Sequence, residues 1–540
     1  MGRFREPSVW LLIAAACLSL RIWVLGVNIF NDSYQYLSMA HNIATGRGIS
    51  TSIPYYETEL HYGVIPAPET HFPPGFPLLV AALSAMGLGG ETSAYAVSFL
   101  AFVAMVPLVL LLARRVGIDR GAARLAVALV CLNQALLVSS ASLGSEPAFT
   151  ALTIAALLFV QRSQAEEGGS LGAAALGGAL AAGAYWIRYA GLLLVATLAL
   201  LCVLRWMQSR RPQLVRAAVA LGTAVFGAAP LLVRNEMLVG SWKGYVTKHM
   251  FRPAGIGKAY IVSMYHAGFG EGLLRKTGPL AAVCTLCAVA LAVAAVRRPG
   301  SHRPVAVSVP ALFAGVYTVG MIYLGVTSDI GFGTRMFIPL LPVLAILGAA
   351  AFTRWRPALG RRTLIAAASI MVVAYAACNA IGSSLTVAFA PHLRVRSAVA
   401  GELRRILDAD QSVLVSADAQ AAAYGLGRPV VGLVGDDYGS LRWTEREVHD
   451  LMLRYGSRHL LLFPGTETFD AQQTSQFLRS LAAGQLPTWL RIQAKNDRAI
   501  LFELTCGPGL PGCAEQSGEH GAVQPVKGRH SATRIRLRRS

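Results

Sequence analysis

Residues 99–138 read FLAFVAMVPLVLLLARRVGIDRGAARLAVALVCLNQALLV and contain the pattern that decides the fold. Two apolar runs, each long enough to cross about 30 Å of hydrocarbon, flank a short gap that holds Arg114, Arg115, Arg120 and Arg124. Short Arg-rich loops remain on the cytoplasmic side of a membrane. The stretch therefore predicts two transmembrane helices joined by a cytoplasmic loop.

The same pattern extends over the first 390 positions of the chain. The 540 residues are 54% hydrophobic and 14% charged, with a mean hydropathy of +0.51, whereas a soluble protein carries about a quarter charged residues. The fold class is therefore a polytopic α-helical membrane protein. About eleven spans are predicted, at residues 8–27, 91–113, 122–141, 146–162, 171–187, 190–206, 214–233, 277–296, 305–326, 335–353 and 362–384.

The formal charge of +20 is explained by orientation in the membrane and needs no nucleic-acid partner. Lys and Arg concentrate in alternate gaps between spans, whereas the first intervening loop, 28–74, has one basic residue, Arg47, against four acidic ones. Because positive loops stay inside, this loop is predicted outside. An odd number of spans then puts the C-terminal region outside. The chain is predicted to be a multi-pass protein of the plasma (inner) membrane.

Composition divides the chain into three parts. Residues 1–390 form the predicted transmembrane domain, which has long extracytoplasmic loops at 28–90 and 234–276. Residues 392–510 alternate β-rich runs with helical segments, which is typical of a small α/β domain. Residues 511–540 form a basic polar tail, predicted to be disordered and able to touch the anionic headgroups of membrane lipids.

Local patterns place elements within the two soluble parts. Asp32 or Ser33 begins a predicted short helix that ends at Gly46, and a second helix too short to span follows residue 71. In the C-terminal region, Thr444 and Glu447 form a capping box. Cys506 and Cys513 are spaced to close a small disulfide loop if that region is extracytoplasmic. Strands are predicted in 412–417, 428–435 and 458–465, with a hairpin over 489–504.

Two acidic residues at the predicted outer face of the membrane need an explanation. Asp32 follows the first span and is either a helix cap or a general base, whose pKa partial desolvation would raise toward a useful value. Glu146 begins the fourth span before Pro147. It is either part of a cap or a functional acid, because an acid that enters hydrocarbon is costly without a role.

Three Arg residues share this outer face, where positive charge is otherwise sparse. Arg188, Arg234 and Arg335 each lie at the edge of a predicted span. Each alone is either a snorkelling anchor or a phosphate ligand, since the guanidinium fork suits phosphate oxygens. Their shared side favours phosphate binding, and positive groups beside a phosphate stabilise it as a leaving group.

His71 and the loop tyrosines are weaker candidates for substrate binding. His71 precedes a Pro-Pro pair and is either incidental or in contact with substrate. Tyr36, with Tyr34, Tyr55 and Tyr56, is either a residue of the aromatic belt or a stacking surface for sugars.

Several classes of site are not indicated by the sequence. No Walker motif, no GxGxxG after a strand and no metal-ligand spacing occur. Neither a cofactor nor a divalent metal is therefore predicted. An enzyme with this topology must use a substrate that is already present on the outer face.

Six patches, in this order along the chain, resemble the GT-C membrane glycosyltransferases. The likeness is to the protein O-mannosyltransferase and aminoarabinose-transferase-like group, and it covers roughly residues 1–390. The patches are NDSYQYLSMAHNIATGRG (31–48), HFPPGFPLL (71–79), SEPAF (145–149), RYAGLLL (188–194), RNEMLVGSW (234–242) and TRMFIPLLPVLAILG (334–348).

The resemblance implies transfer of a sugar from a polyprenyl-phosphate donor to an acceptor hydroxyl outside the cytoplasm. The acceptor is a protein, a lipid or a glycan. Asp32 occupies the position of the family's first-loop catalytic acid, and Ser33 stands where many members carry a second acid. This departure favours a single displacement with inversion, in which Asp32 is the base and the Arg residues hold the phosphate.

Three other functions fit parts of the same pattern. A flippase or transporter of a lipid-linked sugar would have similar spans, but transporters usually carry polar residues near the midplane and show internal repeats. Here Arg21 is the main charge within a span, and no repeat is visible. An envelope glycan ligase or polymerase would share much of the site. A non-enzymatic envelope protein would act through its soluble domain alone.

Overall fold

A computed structural model describes residues 5–244, 255–269, 308–327, 333–355, 373, 375, 390–433, 443–465 and 475–505. The helices of the N-terminal part are α1 (Arg5–Leu25), α2 (Asn31–Ala44), α3 (Glu57–Leu60), α4 (Gly75–Ala85), α5 (Gly90–Arg115), α6 (Arg120–Leu132), α7 (Gln134–Ser140), α8 (Glu146–Ser163), α9 (Leu171–Ile187), α10 (Leu192–Met207), α11 (Arg211–Val239), α12 (Ile256–Phe269), α13 (Val309–Thr327) and α14 (Leu340–Trp355). Two 3₁₀ helices, Tyr189–Gly191 and Thr334–Phe337, precede α10 and α14.

Five of the described helices are long and apolar enough to cross a membrane. They lie at Glu6–Leu25, Gly90–Arg115, Tyr189–Met207, Arg211–Val239 and Val309–Thr327. A sixth crossing arises if α6 and α7, which meet at 55°, form one span. Nine of the eleven predicted spans coincide with described helices, and the other two, 277–296 and 362–384, fall outside the described residues apart from positions 373 and 375. The exact number of crossings stays a prediction.

The bend between α6 and α7 is centred on Asn133. Its Oδ1 accepts a hydrogen bond from the Leu136 amide at 2.9 Å and so caps α7. Its Nδ2 donates to the carbonyl oxygens of Ala267 and Gly268 at the end of α12. An Asn favours caps over helix interiors, because its side chain competes for backbone groups. One polar residue therefore both breaks the apolar helix and fastens it to α12.

The first loop folds into compact structure between α1 and α5. Strands β1 (Ser50–Thr51) and β2 (Ala67–Pro68) pair antiparallel. The buried face of α2 holds the loop, because Gln35 Nε2 donates to the Ile53 carbonyl at 3.1 Å and Asn42 Nδ2 to the Ser50 carbonyl at 3.0 Å. The helix predicted after residue 71 is α4, which has eleven residues and is too short to span.

The C-terminal residues contain a five-stranded sheet in the order β4-β3-β5-β7-β6. In this order the first two pairs of strands are parallel and the last two pairs are antiparallel. The predicted strands and the Thr444 capping box are present. That this region is an extracytoplasmic domain stays a prediction, and Cys506, Cys513 and the basic tail lie outside the described residues. The elements are α15 (Pro391–Ala398), α16 (Glu402–Ala409), β3 (Leu414–Ser416), α17 (Ala419–Leu426), β4 (Val430–Gly432), α18 (Glu445–Arg454), β5 (His459–Leu462), α19 (Gln476–Ala482), β6 (Leu490–Lys495) and β7 (Ile500–Leu504).

The sheet packs directly on the first loop. Leu60 belongs to the apolar core of the sheet, and the Gly432 amide on the edge strand β4 donates to the Pro54 carbonyl at 2.7 Å. A second joint lies between α2 and α15, where the Tyr34 hydroxyl and His392 Nδ1 are 2.9 Å apart. The sheet and the first loop therefore lie on the same side of the helical bundle.

One tight backbone contact that positions the first loop is at Gly75, the first residue of α4. A Cβ at this position would lie 2.6 Å from the backbone carbon and oxygen of Trp186 in α9. We expect Gly75→Ala to destabilise the protein by about 1–3 kcal/mol, because backbone cannot yield as a side chain does. Thermal unfolding in detergent measures the change. Gly172→Ala, where a Cβ meets nothing within 4 Å, is the matched control, and equal effects of both substitutions would contradict the packing argument.

Candidate active site

Four charged residues that lie far apart in the sequence meet at one end of the helical bundle. Asp32 lies in the first turn of α2 and Glu146 is the first residue of α8. Arg188 follows the last residue of α9, and Arg335 lies in the 3₁₀ helix before α14. Each is at a helix end, where a side chain can leave the apolar layer.

The four residues form two ion pairs. Arg335 Nη1 pairs with Asp32 Oδ2, and Arg188 Nη1 lies 2.7 Å from Glu146 Oε1. The pairs differ in exposure: the Arg335 and Asp32 side chains are 51% and 24% exposed, those of Arg188 and Glu146 only 22% and 10%. The Asp32 pair is therefore the part of the site that a substrate can reach first.

Ser145 links the second ion pair to Tyr36. Its Oγ lies 3.0 Å from the Tyr36 hydroxyl and accepts from Arg188 Nη1 at 2.9 Å. The residue precedes α8, yet its side chain makes no capping hydrogen bond there. Ser145 therefore stands at the cap position of α8, but its hydroxyl orients Arg188 and Tyr36 instead.

The environment of Asp32 differs from the one expected from the sequence. Burial alone would raise its pKa, but the charge and hydrogen bond of Arg335, helped by the charges of Arg188 and His71, lower it below the ordinary value. The prediction of a raised pKa is therefore wrong for this arrangement. Asp32 also lies inside the first turn, after the cap position held by Phe30.

Ser33 explains why a single acid stands here. Its side chain is fully buried, accepts from the Phe30 amide at 3.0 Å and donates to the Leu143 carbonyl at 2.6 Å. A carboxylate at this position would face a carbonyl oxygen, which only accepts hydrogen bonds. The local structure therefore favours a hydroxyl over a second acid.

His71 lies beside these groups with its ring stacked on Tyr56. The ring centroids are 3.5 Å apart and the planes differ by 5°. Burial lowers the pKa of His71 to about 4, although the charge of Asp32 acts in the opposite direction. The imidazole is therefore neutral near pH 7 and can both donate and accept hydrogen bonds.

Arg234 is placed differently from the other two candidate arginines. Its guanidinium donates to the carbonyl oxygens of Glu69 and Ile49, both at 2.9 Å. These contacts tie α11 to the first loop at the start of β1 and the end of β2. Within the described residues, Arg234 thus holds the loop that carries His71, whereas Arg188 and Arg335 line the charged cluster.

The residues described do not contain a grouped metal site. No set of three or more His, Cys, Asp or Glu side chains within them is arranged to hold a metal ion. A role for a divalent metal or another cofactor is untested.

One buried hydroxyl beside the cluster was missed by the sequence analysis. Tyr317 in α13 donates to the Met336 carbonyl at 2.8 Å and so fixes the residue after Arg335. It lies inside an apolar run that gives no signal of a polar role.

Part of the membrane region is similar to a known protein family. Residues 86–233 match the family model described as dolichyl-phosphate-mannose-protein mannosyltransferase. No curated protein shows significant sequence similarity to the chain.

Solved structures share the fold at low sequence identity. The structure of ArnT from Cupriavidus metallidurans bound to undecaprenyl phosphate has a TM-score of 0.58 and 15% identity, over 92% of this chain and 96% of that one. The apo oligosaccharyltransferase of Archaeoglobus fulgidus gives 0.55 and 14%, over 88% and 72%. The mycobacterial arabinofuranosyltransferase AftD gives 0.53 and 14%, over 92% and 41%.

Two of these proteins are an oligosaccharyltransferase and an arabinofuranosyltransferase, and all three share the fold of this chain. The fold likeness extends over most of the chain, and the family match covers α5 to the greater part of α11. The chain therefore shares its fold with these proteins.

Proposed function

We propose that the enzyme moves a sugar from a polyprenyl-phosphate donor to an acceptor hydroxyl on the extracytoplasmic face of the plasma membrane. The observation that carries the proposal is the exposed ion pair of Asp32 and Arg335 beside the buried pair of Arg188 and Glu146. It offers a base and two guanidinium groups at the edge of the apolar layer. A lipid-linked phosphate has its head at this depth and its chain between the spans.

The donor phosphate is held by Arg335 and Arg188. A guanidinium presents a planar fork that suits phosphate oxygens. Glu146 and Ser145 hold Arg188 in place, so this cation is oriented before the donor arrives. Arg335 is the more exposed of the two. When the donor binds, Arg335 donates hydrogen bonds to the phosphate and correspondingly less to Asp32.

This exchange gives Asp32 its role as base. Without donor, Arg335 lowers the pKa of Asp32 and so weakens it as a base. A phosphate beside Arg335 shares that positive charge, and the proton affinity of Asp32 increases. Base strength therefore develops in the complex with donor, where it is needed.

Transfer is a single displacement. Asp32 accepts the proton of the acceptor hydroxyl as the hydroxyl oxygen forms a bond to the anomeric carbon. The bond from that carbon to the phosphate oxygen breaks, and its electron pair leaves on the phosphate, which the two Arg residues stabilise. Attack from the face opposite the phosphate inverts the anomeric centre.

His71 and Tyr36 bind substrate hydroxyl groups in this scheme. A neutral imidazole beside the base can accept from one sugar hydroxyl and donate to another.

The lipids bound to similar structures support a lipid-phosphate donor. They are the undecaprenyl phosphate bound to the Cupriavidus protein and the dolichol-phosphate bound, together with an inhibitory peptide, to the Archaeoglobus protein. The acceptor belongs to the protein, lipid or glycan class.

The first test removes the base. Asp32→Asn should lower transfer from a radiolabelled polyprenyl-phosphate sugar, in membranes that contain the enzyme, by about 10²–10⁴-fold. The matched control is Asp119→Asn, since Asp119 caps α6 at the other end of α5 and Asn caps equally well. Undiminished transfer by the Asp32 variant would contradict the assignment. Labelled donor that crosses the bilayer unchanged, without product, would favour a flippase.

The second test concerns pH. Because Arg335 lowers the pKa of Asp32, the carboxylate loses its charge, and transfer is lost, only as pH falls through this low value. Arg335→Gln removes the main cause, so the acidic limb of kcat/KM for the free enzyme should move to higher pH, together with a lower maximal rate. The control is Arg47→Gln, because Arg47 is exposed and lies in the first loop, which also carries Asp32. An unchanged acidic limb in the Arg335 variant would show that another group titrates there.

A further inference from the structure

The first loop contains two acids that the proposed mechanism does not use. Glu59 in α3 and Glu69 after β2 are both fully buried. Buried carboxyl groups are rare unless paired, because removing the charge from water is costly. We refer to Glu59 and Glu69 together as the carboxyl pair.

Each member of the carboxyl pair uses one oxygen to hold the backbone. Glu59 Oε2 accepts from the amides of Tyr55 and Tyr56 at 2.7 and 3.2 Å. Glu69 Oε1 accepts from the amides of His71 and Phe72 at 2.7 and 2.9 Å. These hydrogen bonds hold the backbone at Tyr56 and at His71, whose rings are stacked on each other.

The other oxygen of each acid has no donor among the described residues. Glu59 Oε1 and Glu69 Oε2 are buried and accept no hydrogen bond from a donor there, and a side-chain hydrogen bond between the two acids contributes to the pKa of each. Two ionised carboxylates only accept hydrogen bonds. A bond between them exists only when one of them carries a proton.

Within the described residues, no Arg or Lys donates a hydrogen bond to the carboxylate oxygens in place of that proton. Arg234 Nη1 donates to the backbone carbonyl of Glu69, and Arg454 Nη1 to that of Leu60 at 3.2 Å. Among the described residues, the other titratable neighbours are His71, which is neutral near pH 7, and the hydroxyl groups of Tyr189 and Tyr455. Both cations thus bind backbone oxygens, and the carboxylate oxygens are left to each other.

We propose that Glu59 and Glu69 share one proton at neutral pH and that this shared proton is the device that positions His71 beside Asp32. Glu59 and Glu69 are positioning residues: they act through the amides of Tyr56 and His71. The effect on transfer rests on the proposed function, whereas the shared proton itself does not.

The carboxyl pair also connects the sheet to the active site. The Tyr455 hydroxyl at the end of α18 donates to the Glu59 carbonyl at 3.3 Å, while Arg234 in α11 holds the Glu69 carbonyl. The proton therefore joins the half of the loop that packs on the sheet to the half that packs on the membrane helices.

The sign of the pH dependence follows from the pKa shifts. Burial raises the pKa of Glu59 well above its ordinary value, and the charge of Glu69 adds to this effect. Burial likewise raises the pKa of Glu69, against its backbone hydrogen bonds. A raised folded pKa means that the stabilisation is fully present below the ordinary pKa of a carboxyl group and is lost as pH rises through the folded value.

The test compares Glu59→Gln and Glu69→Gln with the control Glu57→Gln, which lies in the same short helix outside the pair. A Gln keeps the accepting oxygen and supplies a fixed N–H in place of the shared proton. Melting temperature in detergent is measured against pH, and the infrared carbonyl band of a protonated acid is recorded at neutral pH. Kinetic constants for transfer are measured in parallel.

The wild type and Glu57→Gln should lose melting temperature at alkaline pH and show the infrared band. In at least one of the variants Glu59→Gln and Glu69→Gln, the melting temperature should no longer fall at alkaline pH, and the infrared band of a protonated acid should be absent. In that variant KM at alkaline pH should rise less than in the wild type, with kcat little changed. An alkaline fall that is the same in all four proteins, or a band that survives in both pair variants, would overturn the shared proton. Absence of transfer in every protein would refute the proposed function and leave the physical test intact.

Discussion

The site depends on one constraint: a charged side chain at the edge of the hydrocarbon layer needs a partner of opposite charge. An ionised side chain within the membrane costs about 2.5–3.5 kcal/mol or more. Asp32, Glu146, Arg188 and Arg335 avoid this cost because each lies at a helix end and each finds a partner of opposite sign. The pairing joins α2 to the segment before α14, and α8 to the turn after α9. The site therefore helps to fix the ends of four helices.

The same constraint acts on the first loop, where it is met by hydrogen bonds to backbone. The loop must bury its own amides and carbonyls between the bundle and the sheet, and buried groups of this kind are almost always paired. Gln35 and Asn42 bind carbonyls of the loop from α2, and Arg234 binds two from α11. This is why Arg234, although it lies on the same face as the other arginines, contributes to the shape of the site more than to its charge.

The sequence predicted the parts of the fold that depend on periodicity and charge. Apolar runs and Arg-rich gaps located nine described helices. They also put Asp32, Glu146, Arg188, Arg234 and Arg335 on one predicted face, and in the structure four of these residues form two ion pairs. The sequence could not predict which acid meets which Arg, since partners such as Asp32 and Arg335 are 303 positions apart. Tyr317 was missed because a hydroxyl in an apolar run carries no pattern. The acids of the first loop looked like ordinary surface charges, and only the fold buries Glu59 and Glu69.

In the proposed mechanism, the arrangement separates two demands that are usually in conflict. A base must have a high enough proton affinity to accept a hydroxyl proton, whereas an empty site in contact with water is more stable when its carboxylate is neutralised by a cation. Arg335 meets the second demand in the absence of donor. A phosphate group competes for the same guanidinium, so the first demand is met only in the donor complex. Arg188 cannot make this exchange as readily, because Glu146 and Ser145 both hold it and its side chain is less exposed. The difference in exposure between the two ion pairs thus becomes a difference in role: one cation fixes the position of the phosphate and the other couples its arrival to the base.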